Sequence, residues 1–549
     1  MIPSINGKEK QEAGTFDLSE YLNVQMEGLK EYCVEAFAER TGRNYQISKT
    51  TASGNGKQEE KIQDAGREKP VICIRKKESM PEEAYELAVS ETGIQIAAAT
   101  ERGVIWALTT VCQNLKDNQV PYMEVSDSPK CAHRGMSLDC ARHFFDVDAV
   151  KKIIDALSIA KMNVLHWHLA DDQGFRIESR KFPKLMEVSG DYYTQEEIRE
   201  VVQYAKLRGV EVVPEIDVPG HVSAILAAYP QYSCSGRQVK VAKCGGIYPV
   251  ILCAGKEDVF TFLEELLDEV CPLFESDRFH IGGDEAPKME WKKCPHCQAV
   301  MKAEGYTDYE HLQGYFARRV SEILKKQGKT PICWNETACC GELPEDVTLQ
   351  FWTLNEAEQM KQYVEAGGKW IYSDMFELYL DYPYSMTPVK KIFETVPHFG
   401  SREVPRMDGF LGMEACVWAE HITEPERLYT RIFPRIYALA ETAWAGYESS
   451  YEAFEDRLRQ ILLYLKQHGI AYTEESWWNP AGDARREEAF GYFMGINSAM
   501  DEETKAATAE ASKPGEEFAR SFMTKFFQPE DLPYLMGGRN ADASGHQEA

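Results

Sequence analysis

The sequence predicts a (β/α)8 barrel, preceded by a small α/β domain and followed by a helical C-terminal region. Three observations carry this reading. From about residue 133 onward, eight short apolar runs recur, each separated from the next by a helix-patterned stretch. Strands that alternate with helices imply parallel strands, and eight such units imply a closed barrel with insertions. The second observation is an asymmetry: charged and aromatic residues gather where each run ends, while the run beginnings are plain. In such barrels the site lies at the C-terminal ends of the strands. The third is a change of style before residue 128, where a hairpin signature replaces the strand–helix rhythm.

Taken in order, residues 1–128 make the first unit. Residues 18–40 read as a helix, followed by a polar gap, SGNGKQEEKIQDAG. EAYELAVS and GIQIAAAT then alternate as strands joined at Glu91–Thr92–Gly93, a hairpin, and ERGVIWALTTVCQNL has helical spacing. The expectation is a largely antiparallel sheet with no chemistry of its own. Residues 129–450 make the barrel, whose runs are GMSLDCAR, NVLHWHLADD, VEVVPEID, RFHIGGDE, TPICWNE, TLQFWT, KWIYSDM and FLGMEACVWAE. Residues 451–549 read as a helical extension, with YEAFEDRLRQILLYLKQHG as its clearest helix and GGRNADASGHQEA as a disordered tail. That extension could serve as a homodimer contact or as a cover over the barrel mouth.

Composition narrows the function classes. A net charge of −27 argues against nucleic acid or an anionic membrane surface as partner, because like charges repel. No apolar run is long enough to span a bilayer. The opening MIPSINGKEKQEAG lacks the basic start and apolar stretch of a secretory leader. Fifteen cysteines, an odd number scattered through regular segments, suit a reducing compartment better than a disulfide framework. The expectation is therefore a cytoplasmic protein.

The stretch RFHIGGDEAP sets Asp284 and Glu285 side by side where a strand gives way to a loop. On a regular strand neighbours face opposite ways, but two preceding glycines allow a bend that turns both acids toward one ligand. An acid pair, Arg142 and several tryptophans suggest a sugar site: pyranose C–H faces stack on aromatics, and hydroxyls take charged, bidentate partners. Two metal readings compete. His166 and His168 lie at i and i+2 on one strand, as in metal-assisted barrel hydrolases, but the fifth run ends in Trp-Asn-Glu and the sixth in Trp-Thr, so the ligand set is incomplete. Cys294-Pro-His-Cys297 is half a zinc motif; its best partner by sequence, Cys339–Cys340, lacks the usual spacing, so the motif reads as two reduced cysteines. No metal or cofactor is expected.

The run ends together resemble those of the glycoside hydrolase family 20 β-N-acetylhexosaminidases. The matching pieces are RGMSLDCARHF, NVLHWHLADDQGFRIES, PEIDVPGH, HIGGDE, CWNE, YLD and EACVWAE, in the family's order and spread over about residues 80–450. The resemblance implies a retaining exo-enzyme that removes terminal β-linked GlcNAc, or GalNAc, from oligosaccharides or glycoconjugates. It also implies that the substrate's own acetamido oxygen is the nucleophile. By resemblance Glu285 is the general acid/base, with a raised pKa, and Asp284 is the ionised carboxylate that polarises the acetamide. Trp334, Trp352 and Trp418 would clasp the acetamido methyl, and Tyr379 would align its oxygen. Arg142, Asp381 and Glu420 would hold ring hydroxyls, while Asp171 and His221 would tune the general acid. Residues 385–409 would form a loop restricting the aglycone side. A non-catalytic sugar-binding protein is the alternative from a different class.

Overall fold

The computed structural model describes the chain except residues 19–20, 50–70, 342, 344–345, 401–403, 405–406, 448, 497–503, 507, 509–520, 523, 528–530 and 532–549. The polar gap and the C-terminal GGRNADASGHQEA fall outside the described residues.

The N-terminal unit is a seven-stranded sheet: β1 (Gly7–Asp17), β2 (Tyr21–Glu27), β3 (Asn44–Lys49), β4 (Ile72–Lys76), β5 (Tyr85–Ser90), β6 (Gly93–Ala98) and β7 (Gln119–Asp127), in the order β1-β7-β5-β6-β4-β2-β3. The β5–β6 hairpin pairs Ser90 with Gly93, as expected. Two expectations fail here. Residues 21–27 are a strand, with Leu22, Asn23 and Val24 buried between β3 and β4; helix begins only at Glu31. A short apolar run is ambiguous by periodicity, and pairing with β3 and β4 settled it as strand. The sheet is also mixed, because β2, β3, β4 and β6 pair in parallel while β1, β7, β5 and β6 pair antiparallel. The helix Glu101–Asn114, capped by the Thr100 hydroxyl, covers one face of this sheet.

The barrel closes as expected. Its strands are β8 (His133–Asp139), β9 (Val164–His168), β12 (Glu211–Glu215), β13 (Arg278–His280), β14 (Thr330–Trp334), β15 (Thr348–Phe351), β16 (Lys369–Tyr372) and β17 (Phe410–Val417). A two-stranded ribbon, β10 (Ala170–Asp171) with β11 (Gly174–Phe175), rises from the end of β9. Within the barrel, Val164, Val213, Ile332 and Ile371 form an apolar layer. Further along the barrel lies a polar ladder: His166 Nδ1 meets Glu414 at 2.8 Å, and His280 Nδ1 meets Glu215 at 2.8 Å. Period-two alternation sends Leu165 and Trp167 outward to the helices and the histidines inward.

A buried polar seam joins the two units. Asn163 donates to Glu83 at 2.7 Å, and Lys161 and Trp444 both donate to Asp127, at 3.0 Å each. The C-terminal helices Tyr451–Gln467 and Gly482–Ile496 pack outside the barrel. The second reaches its mouth: Tyr492 stands edge-on to Tyr382, with ring centroids 5.7 Å apart.

Candidate active site

The chain after β13 is where the two acids turn. Gly282 and Gly283 have φ of +66° and +92°, and a Cβ at Gly282 would stand 1.8 Å from Asp217 Oδ1. Glu285 itself has φ +47°, and His221 has +52°. Left-handed backbone at non-glycine residues is costly and persists only where surroundings enforce it. Here the enforcement is visible: the Glu285 N–H donates to both oxygens of Glu336 at 3.2 Å, the Gly283 N–H donates to Asp217 at 3.1 Å, and Gln313 donates to the Gly283 carbonyl at 2.7 Å. Adjacent carboxylates thus both reach one cavity of about 300 Å3.

That cavity is lined by Asp284, Glu285, Arg142, Trp334, Trp352, Tyr379, Asp381, Trp418 and Glu420, which six different strand ends and their loops bring together. Trp352 and Tyr379 lie near-parallel, 14° apart, and Trp334 and Tyr379 stand 5.8 and 6.0 Å from Trp418. The Trp334 indole N–H is tied down by Glu215 at 3.0 Å and that of Trp352 by Glu336 at 3.3 Å. Arg142 lies over the Trp418 ring at 4.9 Å and donates to Asp171 at 2.8 Å.

Asp171 and His221 do not line the cavity; they stand behind it. Asp171 takes Arg142 on one side and His168 Nε2, at 2.9 Å, on another, and faces His221 Nδ1 at 3.3 Å. Its neighbour Asp172 accepts from the Ser223 N–H and hydroxyl at 2.8 and 2.6 Å and also faces His221 Nδ1, at 3.4 Å. His221 Nε2 then points at both acids, 3.7 Å from Asp284 and 3.5 Å from Glu285. Burial disfavours the charge on each, yet Arg142 and His221 hold the Asp171 carboxyl below its usual range, and Asp171 raises His221 well above it. A buried Arg–Asp–His relay therefore presents positive charge to the acid pair.

The expectation that Asp284 stays ionised meets an obstacle in this pocket. Burial, with Glu285 and Glu215 adding repulsion, pushes its carboxyl up to about 6 against the pull of His221. Asp217 lies close by, its own pKa raised well above normal by burial and by Asp284. Burial and the facing Glu420 likewise raise Asp381 to about 7. Asp284 Oδ1 and Asp381 Oδ1 are both buried with no hydrogen-bond partner among the described residues. Each is an acceptor ready for a ligand donor.

Several participants escaped sequence reasoning. Glu336 and Asp217 sit at run ends but brace the acids from behind, a role that no motif announces. Gly245, Gly246, Ile247, Tyr492 and Thr508 line the cavity from segments far from any strand end. The Ile247 N–H donates to the Thr508 hydroxyl at 3.0 Å, so the C-terminal region and the excursion after β12 meet over the pocket. Tyr492 and Thr508 thus give that region a covering role within this chain. Of residues 385–409, none of the described ones lines the cavity, and Met386, Val389, Ile392 and Phe393 are buried in the core that includes residues of the C-terminal helices. His166 and His168 are a barrel-interior pair, engaged by Glu414, Glu215 and Asp171. Glu215 and Glu414 offset the cost of their burial and raise His166 to about 9, and Glu215 with Asp171 raises His168 to about 10.

A larger depression of about 940 Å3 lies over the open face of the N-terminal sheet. Its lining is the alternating outer side chains of β1, β2, β4, β5, β6 and β7, with acids and lysines interspersed and no convergent group of buried titratable residues. The chemistry is in the barrel.

A parallel barrel with paired carboxylates, a guanidinium and an aromatic cradle at its strand ends defines a carbohydrate-processing barrel. The comparisons specify which. Residues 131–447 match the model for the glycosyl hydrolase family 20 catalytic domain, and residues 1–128 match that family's domain 2. The chain belongs to glycosyl hydrolase family 20. It is 35% identical over 435 residues to a beta-hexosaminidase of Porphyromonas gingivalis, a match covering 72% of this chain and 55% of that relative. The chain thus spans about half the length of that curated relative. Among solved structures, a beta-N-acetylhexosaminidase from Bacteroides fragilis superposes with a TM-score of 0.76 at 29% identity, covering 88% of this chain and 98% of that one. An exo beta-N-acetylglucosaminidase from Vibrio harveyi, in complex with N-acetylglucosamine, superposes at 0.73 and 27% identity, covering 86% and 78%.

Proposed function

We propose that the chain is a retaining exo-β-N-acetylhexosaminidase that removes terminal, non-reducing β-linked GlcNAc, or GalNAc, from oligosaccharides or glycoconjugates. The observation that carries this is the adjacency of Asp284 and Glu285 in one aromatic-walled pocket, with Asp284 Oδ1 buried and unpartnered. A nucleophile-plus-acid mechanism needs two carboxylates on opposite sides of the scissile bond, whereas neighbouring residues suit groups on neighbouring ring carbons.

In this reading the acetamido carbonyl oxygen attacks C1 as the C1–O bond breaks, and Glu285 gives its proton to the leaving oxygen. The oxazolinium that forms carries positive charge, which ionised Asp284 offsets while accepting its N–H. Water then adds at C1 and gives its proton to Glu285, the C1–oxazoline bond opens, and the configuration is retained. Trp334, Trp352 and Trp418 clasp the acetamido methyl and Tyr379 aligns the carbonyl. Arg142, Asp381 and Glu420 hold ring hydroxyls, and the Asp171–His221 relay steadies the anionic form of the pair. A cavity of about 300 Å3 accommodates one terminal sugar, which supports exo-cleavage.

The deciding experiment compares release of 4-nitrophenol from its β-GlcNAc glycoside and its β-glucoside, for wild type and Asp284→Asn. Rapid release from the acetamido sugar alone, reduced about 100-fold or more in the variant, is the expected outcome. Equal hydrolysis of the two glycosides overturns the participating amide. None of the fifteen cysteines is in a disulfide, which supports a cytoplasmic site of action on imported oligosaccharides. Fractionation of source cells checks that assignment. A homodimer is a second reading for the C-terminal region, and light scattering of the purified protein distinguishes it from the monomer.

A further inference from the structure

Cys294 and Cys297 do not stand alone. Cys234, which follows the turn Pro230–Tyr232, and Cys253, whose N–H donates to the Tyr232 carbonyl at 2.9 Å, fold against them. The Sγ atoms of all four lie within 4.8 Å of one another. Three of the separations are 3.8 Å (Cys234–Cys297), 3.7 Å (Cys253–Cys294) and 3.6 Å (Cys253–Cys297). A disulfide requires about 2.05 Å. Four sulfurs each about 2.3 Å from a zinc ion sit about 3.8 Å apart along the edges of the tetrahedron. The observed spacings fit the second arrangement.

We propose that Cys234, Cys253, Cys294 and Cys297 form a closed tetrathiolate site that binds one structural zinc ion. Cys253, Cys294 and Cys297 are at most 3% exposed, so the site is closed to substrate. Cys294 and Cys297 flank the start of the helix Pro295–Glu304, the usual setting of a C-x2-C half-site. Space for it is reserved in the backbone: a Cβ on Gly255 would stand 2.2 Å from the His296 carbonyl carbon, so only glycine lets the two half-sites approach. Thiolate and polarisable sulfur select zinc over magnesium or calcium, and four ligands leave no open position for catalysis. The partners that sequence spacing offered, Cys339 and Cys340, lie outside this cluster.

The site clamps two arms of the pocket. One is the excursion between Cys234 and Cys253, which carries Gly245, Gly246 and Ile247 to the cavity wall; the other is the segment from Asp284–Glu285 to Cys294. Elemental analysis of the full-length protein, expressed in zinc-supplemented medium and purified without chelator, should find about one zinc per chain. Growth on cobalt should produce the intense visible bands of tetrahedral thiolate-bound Co2+. Cys294→Ser/Cys297→Ser should lose the metal and lower Tm by more than about 5 °C, whereas Cys339→Ser keeps it. Should the double variant fail to fold, the wild-type protein still decides. Less than about 0.1 zinc per chain overturns the proposal, as does one iron in its place. A native mass 4 Da below that of the reduced chain, marking two disulfides, also overturns it.

Discussion

Glu285 and Asp284 differ by one position along the chain and by a great deal in surroundings. Asp284 is deeper, and its carboxyl is pushed up to about 6, first by burial and then by neighbouring acids. Its ionised form is the useful one, so kcat/KM should fall as pH drops below about 6, with an apparent pKa shared with the neighbouring Asp217. A pH–rate profile with no acid limb above pH 5 would contradict this. Glu285→Gln should slow natural disaccharides by about 100-fold to 10,000-fold and activated aryl glycosides much less, because a good leaving group needs no proton. Asp381 makes a different prediction. Its folded pKa of about 7 lies above the ordinary aspartate value, so the folded state holds a proton that the unfolded state releases. Stability is complete below about pH 4 and is lost as pH rises toward 7. Asp381→Asn should therefore stabilise the protein at pH 8 by on the order of 2–4 kcal/mol and change little at pH 4.5, as urea unfolding at the two values would reveal.

At the scale of elements, the loop after β13 shows how a strand end becomes a site. The two glycines were legible in the sequence as a bend, and the bend is there. What was not legible is the framework that holds it, Glu336 from the β14 end and Asp217 from the β12 end, since bracing residues carry no motif. Gly282→Ala combines a positive φ with a Cβ 1.8 Å from Asp217 Oδ1 and should destabilise the fold by more than about 2 kcal/mol. Glu336→Gln keeps the shape of the acceptor but weakens its hold on the Glu285 N–H. It should lower kcat about tenfold and leave KM for the aryl glycoside nearly unchanged, and a change confined to KM would refute the bracing role. The element misread from sequence, residues 21–27, failed for a physical reason of the same kind. Leu22, Val24 and Met26 alternate inward as a strand does, but acids and amides around them also satisfy a helical face.

Across the whole molecule, the pocket is completed by parts that lie far apart in sequence. Tyr492 and Thr508 come from the C-terminal region, and Ile247 from an excursion after β12. Tyr492→Ala should raise KM for a GlcNAc glycoside several-fold while kcat is kept, because it removes a wall and touches no reacting atom. The eight strands, their order and the direction in which their ends face followed from run periodicity, since a two-residue alternation and a strand–helix rhythm are local properties of the chain. The residues at those ends were also legible, because the fold sends every strand's C-terminus to the same side. Tertiary structure alone decided the rest: which carboxylate carries the raised pKa, which cysteines meet, and that the final helices cover the mouth. Those outcomes depend on distances between segments tens to hundreds of residues apart, and burial, charge and sulfur–sulfur spacing exist only once those segments are packed together.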